Sequence, residues 1–229
     1  MKVLCILPAR GGSKGIPNKN LKKINGKPLL EYSIKAALES KMVNKAIVCS
    51  ENLKILNVAK KFGIEVIKRP KKLATDKSSL EPTIEFVLKY LKNNEKYEPD
   101  IIVLLQNTSP LRNSKHIDKA IQLMKKMKYD SIVTGFTIHS LFWKKSKNGI
   151  TPLNYDPQNR PQRQVNEGEI LQENGAMFIT TLKAFRKSNC RISGKIGFFK
   201  MPLELSYNID TAQDLEDLRK FLKKYKTNY

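Results

Sequence analysis

Between Ala9 and Asn20 the chain gathers three glycines (Gly11, Gly12, Gly15), a serine (Ser13), three cations (Arg10, Lys14, Lys19) and two asparagines. Glycines permit φ > 0 and a close approach of backbone to ligand. Consecutive backbone N–H groups in such a turn form an anion-binding nest, and the three cations supply counter-charge to a polyphosphate. Two familiar phosphate loops are excluded by inspection. A P-loop needs Lys followed by Ser or Thr, but Gly15 follows Lys14, and the G-x-G-x-x-G dinucleotide fingerprint does not match Gly11–Gly12. Pro17 keeps a helix from starting at once, so the cradle is a loop. A glycine-rich surface turn with incidental lysines is the competing reading.

The elements that must hold this loop follow an alternating pattern. Residues 2–8, "KVLCILP", are apolar on both faces, as in a central parallel strand. Pro28 opens a helix with Leu29, Leu30, Ile34, Ala37 and Leu38 on one stripe. Further strands are expected at 45–50, 64–67, 100–106, 130–138, 175–180 and 195–202. Helices are expected between them: one ended by Gly63, one marked by Ile84, Val87, Leu88 and Leu91, and one capped by Ser114 with Ile117, Ala120, Ile121, Met124 and Met127 inward. A last helix places Ala212, Leu215, Leu218 and Leu222 on one face. This rhythm predicts an α/β fold built on an open, doubly wound, mostly parallel sheet. Residues 139–172 break it with turn signals and an exposed-looking "LFW" at 141–143. The chain therefore reads as a single domain, 1–229, with an inserted arm at about 139–172. In such sheets ligands sit beyond the carboxyl ends of the strands, where the 9–20 loop emerges.

Composition narrows the partners. The formal charge is +22. It comes mostly from lysines scattered over the predicted helices, which reads as a solvated surface. Of the few arginines, Arg10, Arg69, Arg112, Arg160 and Arg163 fall in predicted loops, and arginine is the side chain that reads phosphate and carboxylate in a planar fork. No basic motif interleaved with aromatics speaks for RNA, and no apolar run approaches the ~20 residues of a membrane span. A nucleic-acid-binding protein remains the rival class because of the charge. Three cysteines lack metal-like spacing, and Cys5 and Cys49 read as small buried thiols of a cytoplasmic protein. His116 and His139 read as structural or surface residues.

Five segments in order, "PARGGSKGIPNKN", "RPKKLATDKSS", "LLQNTSPLR", "RQ…ENGAMFI" and "NIDTAQDL", resemble the acylneuraminate (CMP-sialic acid synthetase-type) cytidylyltransferases and their legionaminate and pseudaminate relatives. The resemblance spans about residues 2–222. The Kdo cytidylyltransferases, which act on an eight-carbon acid, share the fold but carry a different first-loop pattern. The resemblance implies a nucleotide-diphospho-sugar-transferase-like Rossmann-type fold whose inserted arm pairs two subunits. It also implies transfer of CMP from CTP to a nine-carbon 2-keto sugar acid, with Mg²⁺ (or Mn²⁺) and release of pyrophosphate. No nucleic acid or membrane partner is expected.

By the same resemblance Arg10, Gly11, Gly12, Ser13, Lys14 and Lys19 hold the triphosphate, and Asn20 lies near the ribose. Arg69, Asp76, Ser78 and Ser79 line the cytosine pocket. Gln106, Thr108, Ser109 and Arg112 face the sugar, with Gln106 its closest polar contact, although Gln106 also reads as a strand-end cap. Arg163 and Gln164 belong to a carboxylate-reading, dimer-contact region on the arm. Arg10, Lys19 and Asp210 carry the catalysis. Asp210 and Asn208 are the metal candidates. Relatives commonly place two aspartates two residues apart here, and in an extended segment both side chains reach one face. Asp210 alternatively caps the helix that follows. At Ser50–Glu51 the family more often has a small residue followed by Asp.

Overall fold

β1 (Val3–Pro8) alternates between two apolar clusters, with Val3, Cys5 and Leu7 on one side and Leu4 and Ile6 on the other. β6 (Ile101–Leu105) does the same, and all five of its residues are buried. That two-sided burial is what a central parallel strand requires. The computed structural model describes residues 1–13, 15–76, 78–160 and 170–225.

The sheet is completed by β4 (Lys45–Ser50), β5 (Glu65–Lys68), β7 (Ser131–Ile138), β10 (Ile170–Thr181) and β11 (Ile196–Lys200), in the order β11-β7-β10-β6-β1-β4-β5. Only β10 runs against its neighbours, pairing antiparallel with both β6 and β7. The chain steps from β1 to β4 and β5 on one side, then returns to place β6 on the other side of β1. Such a reversal opens a crevice at the carboxyl ends of the two central strands.

Helices cover both faces. α1 (Leu29–Leu38), α2 (Leu53–Lys60) and α4 (Ser114–Met127) pack on the Val3 face; α3 (Glu81–Glu95) and α5 (Leu182–Ser188) pack on the Leu4 face. The stripe on α4, Ile117, Ala120, Ile121 and Met124, is buried, each large side chain contributing roughly 1.5–3 kcal/mol. Met127 and Leu38 are exposed instead of inward, because each lies at the last turn of its helix, beyond the sheet. Ala212 is likewise exposed at the start of α6 (Ala212–Tyr225), while Leu215, Leu218 and Leu222 pack inward. The cap of α4 is Asn113, not Ser114. Its side chain accepts from the His116 N–H, and His116 Nδ1 accepts from the Asn113 N–H, a reciprocal capping box.

A third cluster docks α6 against the first loop: Ile16, Ile24, Leu29, Leu111 and Ile209 meet Leu215, Leu218 and Leu222. A two-strand ribbon, β2 (Lys23–Ile24) with β3 (Lys27–Pro28), closes that loop. In the expected arm, β8 (Trp143–Ser146) and β9 (Gly149–Pro152) form a hairpin that leaves Phe142, Trp143, Ile150 and Leu153 exposed. β10 begins at Ile170, inside the stretch read as arm. Among the described residues no helix is long and apolar enough to cross a membrane.

Candidate active site

The crevice between β1 and β6 is a cavity of about 360 Å³. Arg10, Ser13, Lys19 and Asn20 reach it from the first loop, Arg69, Asp76, Ser78 and Ser79 from the segment after β5, and Gln106 and Thr108 from the end of β6. Asn208 and Asp210 close it from the segment before α6. The structure thus brings most of the residues expected from sequence to one place. Lys14, Arg163 and Gln164 lie outside the described residues.

The first loop does not work as a bare nest. The Gly11 N–H donates to the Glu51 carboxylate at 2.6 Å, so that amide is already taken by an internal anion. Gly11 and Gly12 are not among the positive-φ residues; among the described residues of this loop Asn18 takes the left-handed region, at φ 54°. Gly11 and Gly15 serve close approach instead, while a side chain at Gly12 would meet open space. A Cβ on Gly11 would lie 2.2 Å from the Asn52 side chain, and one on Gly15 would lie 2.3 Å from the Asp210 carbonyl oxygen. Asn20 is buried and donates to the Arg10 carbonyl at 2.9 Å, pinning the loop. Among the described residues of this loop, Arg10, Ser13, Lys19 and Asn20 line the cleft.

Two of the ion pairs at the cleft, Arg10–Asp76 and Arg69–Glu51, differ in kind. Arg10 pairs with Asp76 at 2.6 Å, with both side chains more than a third exposed. Such a pair contributes roughly 0–1 kcal/mol, so a polyphosphate can draw Arg10 away at little cost. Arg69 donates to Glu51 Oε2 from Nε and Nη2 at 3.4 and 3.3 Å and to the Thr83 hydroxyl at 2.9 Å. Arg69 is buried and the Glu51 side chain is only 13% exposed, so removing Glu51 would strand the arginine's charge at about 3–5 kcal/mol. Glu51 therefore fastens the first loop and Arg69 to each other. In the sequence Glu51 stands out only as a departure; its partners are 40 and 18 residues away, and no local signal carries them.

The segment carrying Asn208 and Asp210 is held from three sides. The Ile209 side chain is fully buried, its N–H donates to the Thr108 carbonyl at 2.8 Å, and Lys19 Nζ donates to its carbonyl at 2.7 Å. Lys19 also lies 3.3 Å from Asp210 Oδ1, and Asn208 Nδ2 donates to Asp210 Oδ2 at 2.7 Å. The two side chains do share a face. Asp210 does not cap α6. Thr211 Oγ1 accepts from the Asp214 N–H, and Asp214 accepts from the N–H groups of Thr211 and Asp210, which hold its carboxyl below the usual range.

At the end of β6, Gln106 sits over Gly175, where a Cβ would come within 2.5 Å of its Oε1. Gly175 takes φ 63° in the irregularity of β10 between Glu173 and Phe178, so the "ENG" segment makes room for Gln106. Asn107 is buried with its Nδ2 donating to the Pro8 carbonyl at 3.1 Å. Ser109 and Arg112 do not reach the cleft. The Ser109 hydroxyl donates to the Asn174 carbonyl, and Arg112 lies under α4 with contacts to Ser33 and to the carbonyls of Gln106 and Ala176. The chain folds inward after Thr108, which the motif alone does not reveal.

No His or Cys lines the cleft. His116 is turned into the capping box, and burial together with Arg112 lowers its pKa to about 4. Burial pushes the thiols of Cys5 and Cys49 up to about 12, so neither is a nucleophile at neutral pH. Among the described residues no group of three or more His, Cys, Asp or Glu could hold a metal unaided. Asp210 and Asn208 offer one carboxylate and one amide, whose Nδ2 now faces that carboxylate; with the amide turned over, the set would suit an Mg²⁺ that arrives with a nucleotide and takes its other ligands from phosphates and water.

A family model described as "Cytidylyltransferase" matches residues 4–226. The chain is 34% identical over 217 residues to N-acylneuraminate cytidylyltransferase A of Danio rerio, covering 93% of this chain and 49% of that protein. It is 32% identical over 235 aligned positions to the pseudaminic acid cytidylyltransferase of Campylobacter jejuni subsp. jejuni serotype O:2, covering 100% of this chain and 98% of that one. The chain spans about half the length of the N-acylneuraminate relatives it matches. In fold it is similar to CMP:2-keto-3-deoxy-manno-octonic acid synthetase complexed with CTP, with a TM-score of 0.73 at 18% identity, covering 98% of this chain and 100% of that one.

Proposed function

Since the chain belongs to the cytidylyltransferase family, we propose that it transfers CMP from CTP to the anomeric hydroxyl of a sialic-type nine-carbon 2-keto sugar acid (an N-acylneuraminate, legionaminate or pseudaminate) and releases pyrophosphate. The observation that carries this reading is the cleft at the β1/β6 switch point, where Arg10, Lys19 and Asp210 converge without a His or Cys nucleophile. A transfer in which the acceptor's own hydroxyl attacks needs no enzyme nucleophile. It needs alignment and countercharge as negative charge builds on phosphoryl oxygens.

Lys19, fixed by the Ile209 carbonyl and beside Asp210, offers a preorganised cation to that charge. Arg10 leaves its weak pairing with Asp76 for the triphosphate. Arg69, held by Glu51 and Thr83, is the rigid group on the base side. Gln106 and Thr108 face the sugar acid. Asp210, with Asn208 beside it, would hold Mg²⁺, which would supply Lewis-acid neutralisation of the phosphates. A cytoplasmic homodimer fits the exposed Phe142, Trp143, Ile150 and Leu153 on the hairpin, a patch that pairing of two copies would cover. A monomer at micromolar concentration by light scattering, with full activity, overturns the dimer.

The test is pyrophosphate release from CTP and Mg²⁺ against a panel of N-acetylneuraminate, legionaminate, pseudaminate and Kdo. Turnover on one of the nine-carbon acids is expected. Turnover on Kdo alone reassigns the acceptor, and tight nucleic-acid binding at physiological salt with no turnover on any acid overturns the reading.

A further inference from the structure

Asn174 precedes Gly175 in the irregularity of β10 and is 5% exposed. Each hydrogen-bonding position of its amide is filled. Oδ1 accepts from the Ala176 N–H at 3.0 Å and lies 2.8 Å from the Thr134 hydroxyl. Nδ2 donates to the Ser206 hydroxyl at 3.0 Å and to the Met201 sulfur at 3.4 Å. We propose that Asn174 is a positioning residue for the transfer: it sets where the 206–210 segment stands against Gln106. The proposal rests on the transferase reading and adds a residue to it.

The contacts close a ring. The Ser109 hydroxyl donates to the Asn174 carbonyl at 3.2 Å, the Ile209 N–H donates to the Thr108 carbonyl at 2.8 Å, and Ser206 returns to the Asn174 amide. One arc of the ring carries Gln106 and Thr108 to the cleft, and the other carries Asn208 and Asp210. The 206–210 segment is thus anchored at Ser206 by Asn174 and at Ile209 by Thr108 and Lys19, with Asn208 between the anchors. An aspartate could not donate to Ser206, and a leucine could neither donate nor accept. A fully satisfied buried network of this kind holds one arrangement and makes partial ones costly. Arg10, Arg69 and Glu51 have their own partners elsewhere, so the ring sets the acceptor side against the segment without involving the opposite bank.

The experiment measures pyrophosphate release and urea unfolding for Ser206→Ala, Ser206→Thr and Ser131→Ala, on the acid that the wild-type chain accepts. Ser206→Ala is expected to lower kcat/KM for the acid about tenfold, because small misplacement of reacting groups is expensive, while KM for CTP and the urea midpoint stay near wild type. Ser206→Thr, which keeps the hydroxyl, restores the rate. Ser131→Ala removes a buried hydroxyl outside the ring, one that donates to the Ser193 carbonyl at 2.8 Å. It is expected to lower the midpoint and leave kcat/KM unchanged. Asn174→Ala should lose at least as much rate as Ser206→Ala, and adding Ser206→Ala to it should cost nothing further.

The proposal is overturned by an unchanged kcat/KM in Ser206→Ala, or by an equal loss in Ser131→Ala, which would mean general loosening. Additive losses in the double variant also overturn it, since Ser206 would then act through its bond to the Pro202 carbonyl. If Asn174→Ala does not fold, the Ser206 and Ser131 variants decide. No turnover by the wild-type chain on any acid overturns the transferase reading together with this proposal. An active wild type beside an equally active Ser206→Ala overturns the proposal alone.

Discussion

The two banks of the cleft are built differently. On the β4/β5 side, charged groups lock one another: Glu51 holds the Gly11 amide and Arg69, Arg69 holds Thr83, and Arg10 reaches Asp76. On the β6/β10 side, the groups at the rim are neutral, Gln106, which sits over the Gly175 irregularity, and Thr108. The charged bank suits a ligand that is the same in every turnover, a nucleotide triphosphate. The neutral bank suits a polyhydroxylated acceptor. Between the banks, Lys19 and the 208–210 segment hold each other.

The comparison breaks first at that junction. Asp210→Asn is expected to leave the unfolding midpoint near wild type and reduce kcat on the order of 10³-fold, because the charge opposite the nucleotide-borne ion is lost. Near-normal, metal-dependent turnover would move the metal anchor elsewhere. Lys19→Ala should lower kcat on the order of 10²-fold, as loss of one preorganised donor does, while Lys125→Ala on α4 changes almost nothing. Equal, small effects would detach the first loop from the triphosphate.

Glu51→Gln sharpens the contrast between banks. It strands Arg69 and loosens Gly11, so KM for CTP should rise about tenfold and stability fall by about 3 kcal/mol, with KM for the sugar acid unchanged. Glu51→Asp, the commoner family residue, should recover most of the affinity. A stability loss with both KM values unmoved would reduce Glu51 to scaffolding.

The smallest expected effect lies beneath the neutral bank. The His116 pKa is depressed to about 4 in the folded chain, so the unfolded chain binds the proton first. Its contribution is present above about pH 6.5 and is lost as pH falls toward about 4. His116→Gln keeps a capping-box side chain without a titrating group, and urea midpoints at pH 7 and pH 4.5 should differ less than in wild type. An unchanged difference would assign the acid sensitivity to other groups.

Much of the sheet is legible in the sequence because β1 and β6 are buried on both faces, and continuous apolar runs bounded by turns have few other meanings. The cleft is legible where one loop carries its chemistry, as at Arg10 and Lys19. Turns hide direction. "QNTSPLR" reads as one sugar-facing segment, yet Ser109 and Arg112 turn inward while Gln106 and Thr108 stay at the rim. Long-range partners hide as well: Glu51 matters through Gly11 and Arg69, which only the fold brings together. Helix ends mislead for a local reason, since Asn113 and Ser114 are both good caps and the reciprocal bond with His116 decides between them.

Which phosphorus is attacked decides whether the chain transfers CMP. CTP labelled at the α-phosphate, incubated with the accepted sugar acid and Mg²⁺, should pass its label to the sugar product, while a γ-phosphate label leaves in pyrophosphate. Label from the γ-phosphate on the sugar, or none transferred from either position, would contradict the account.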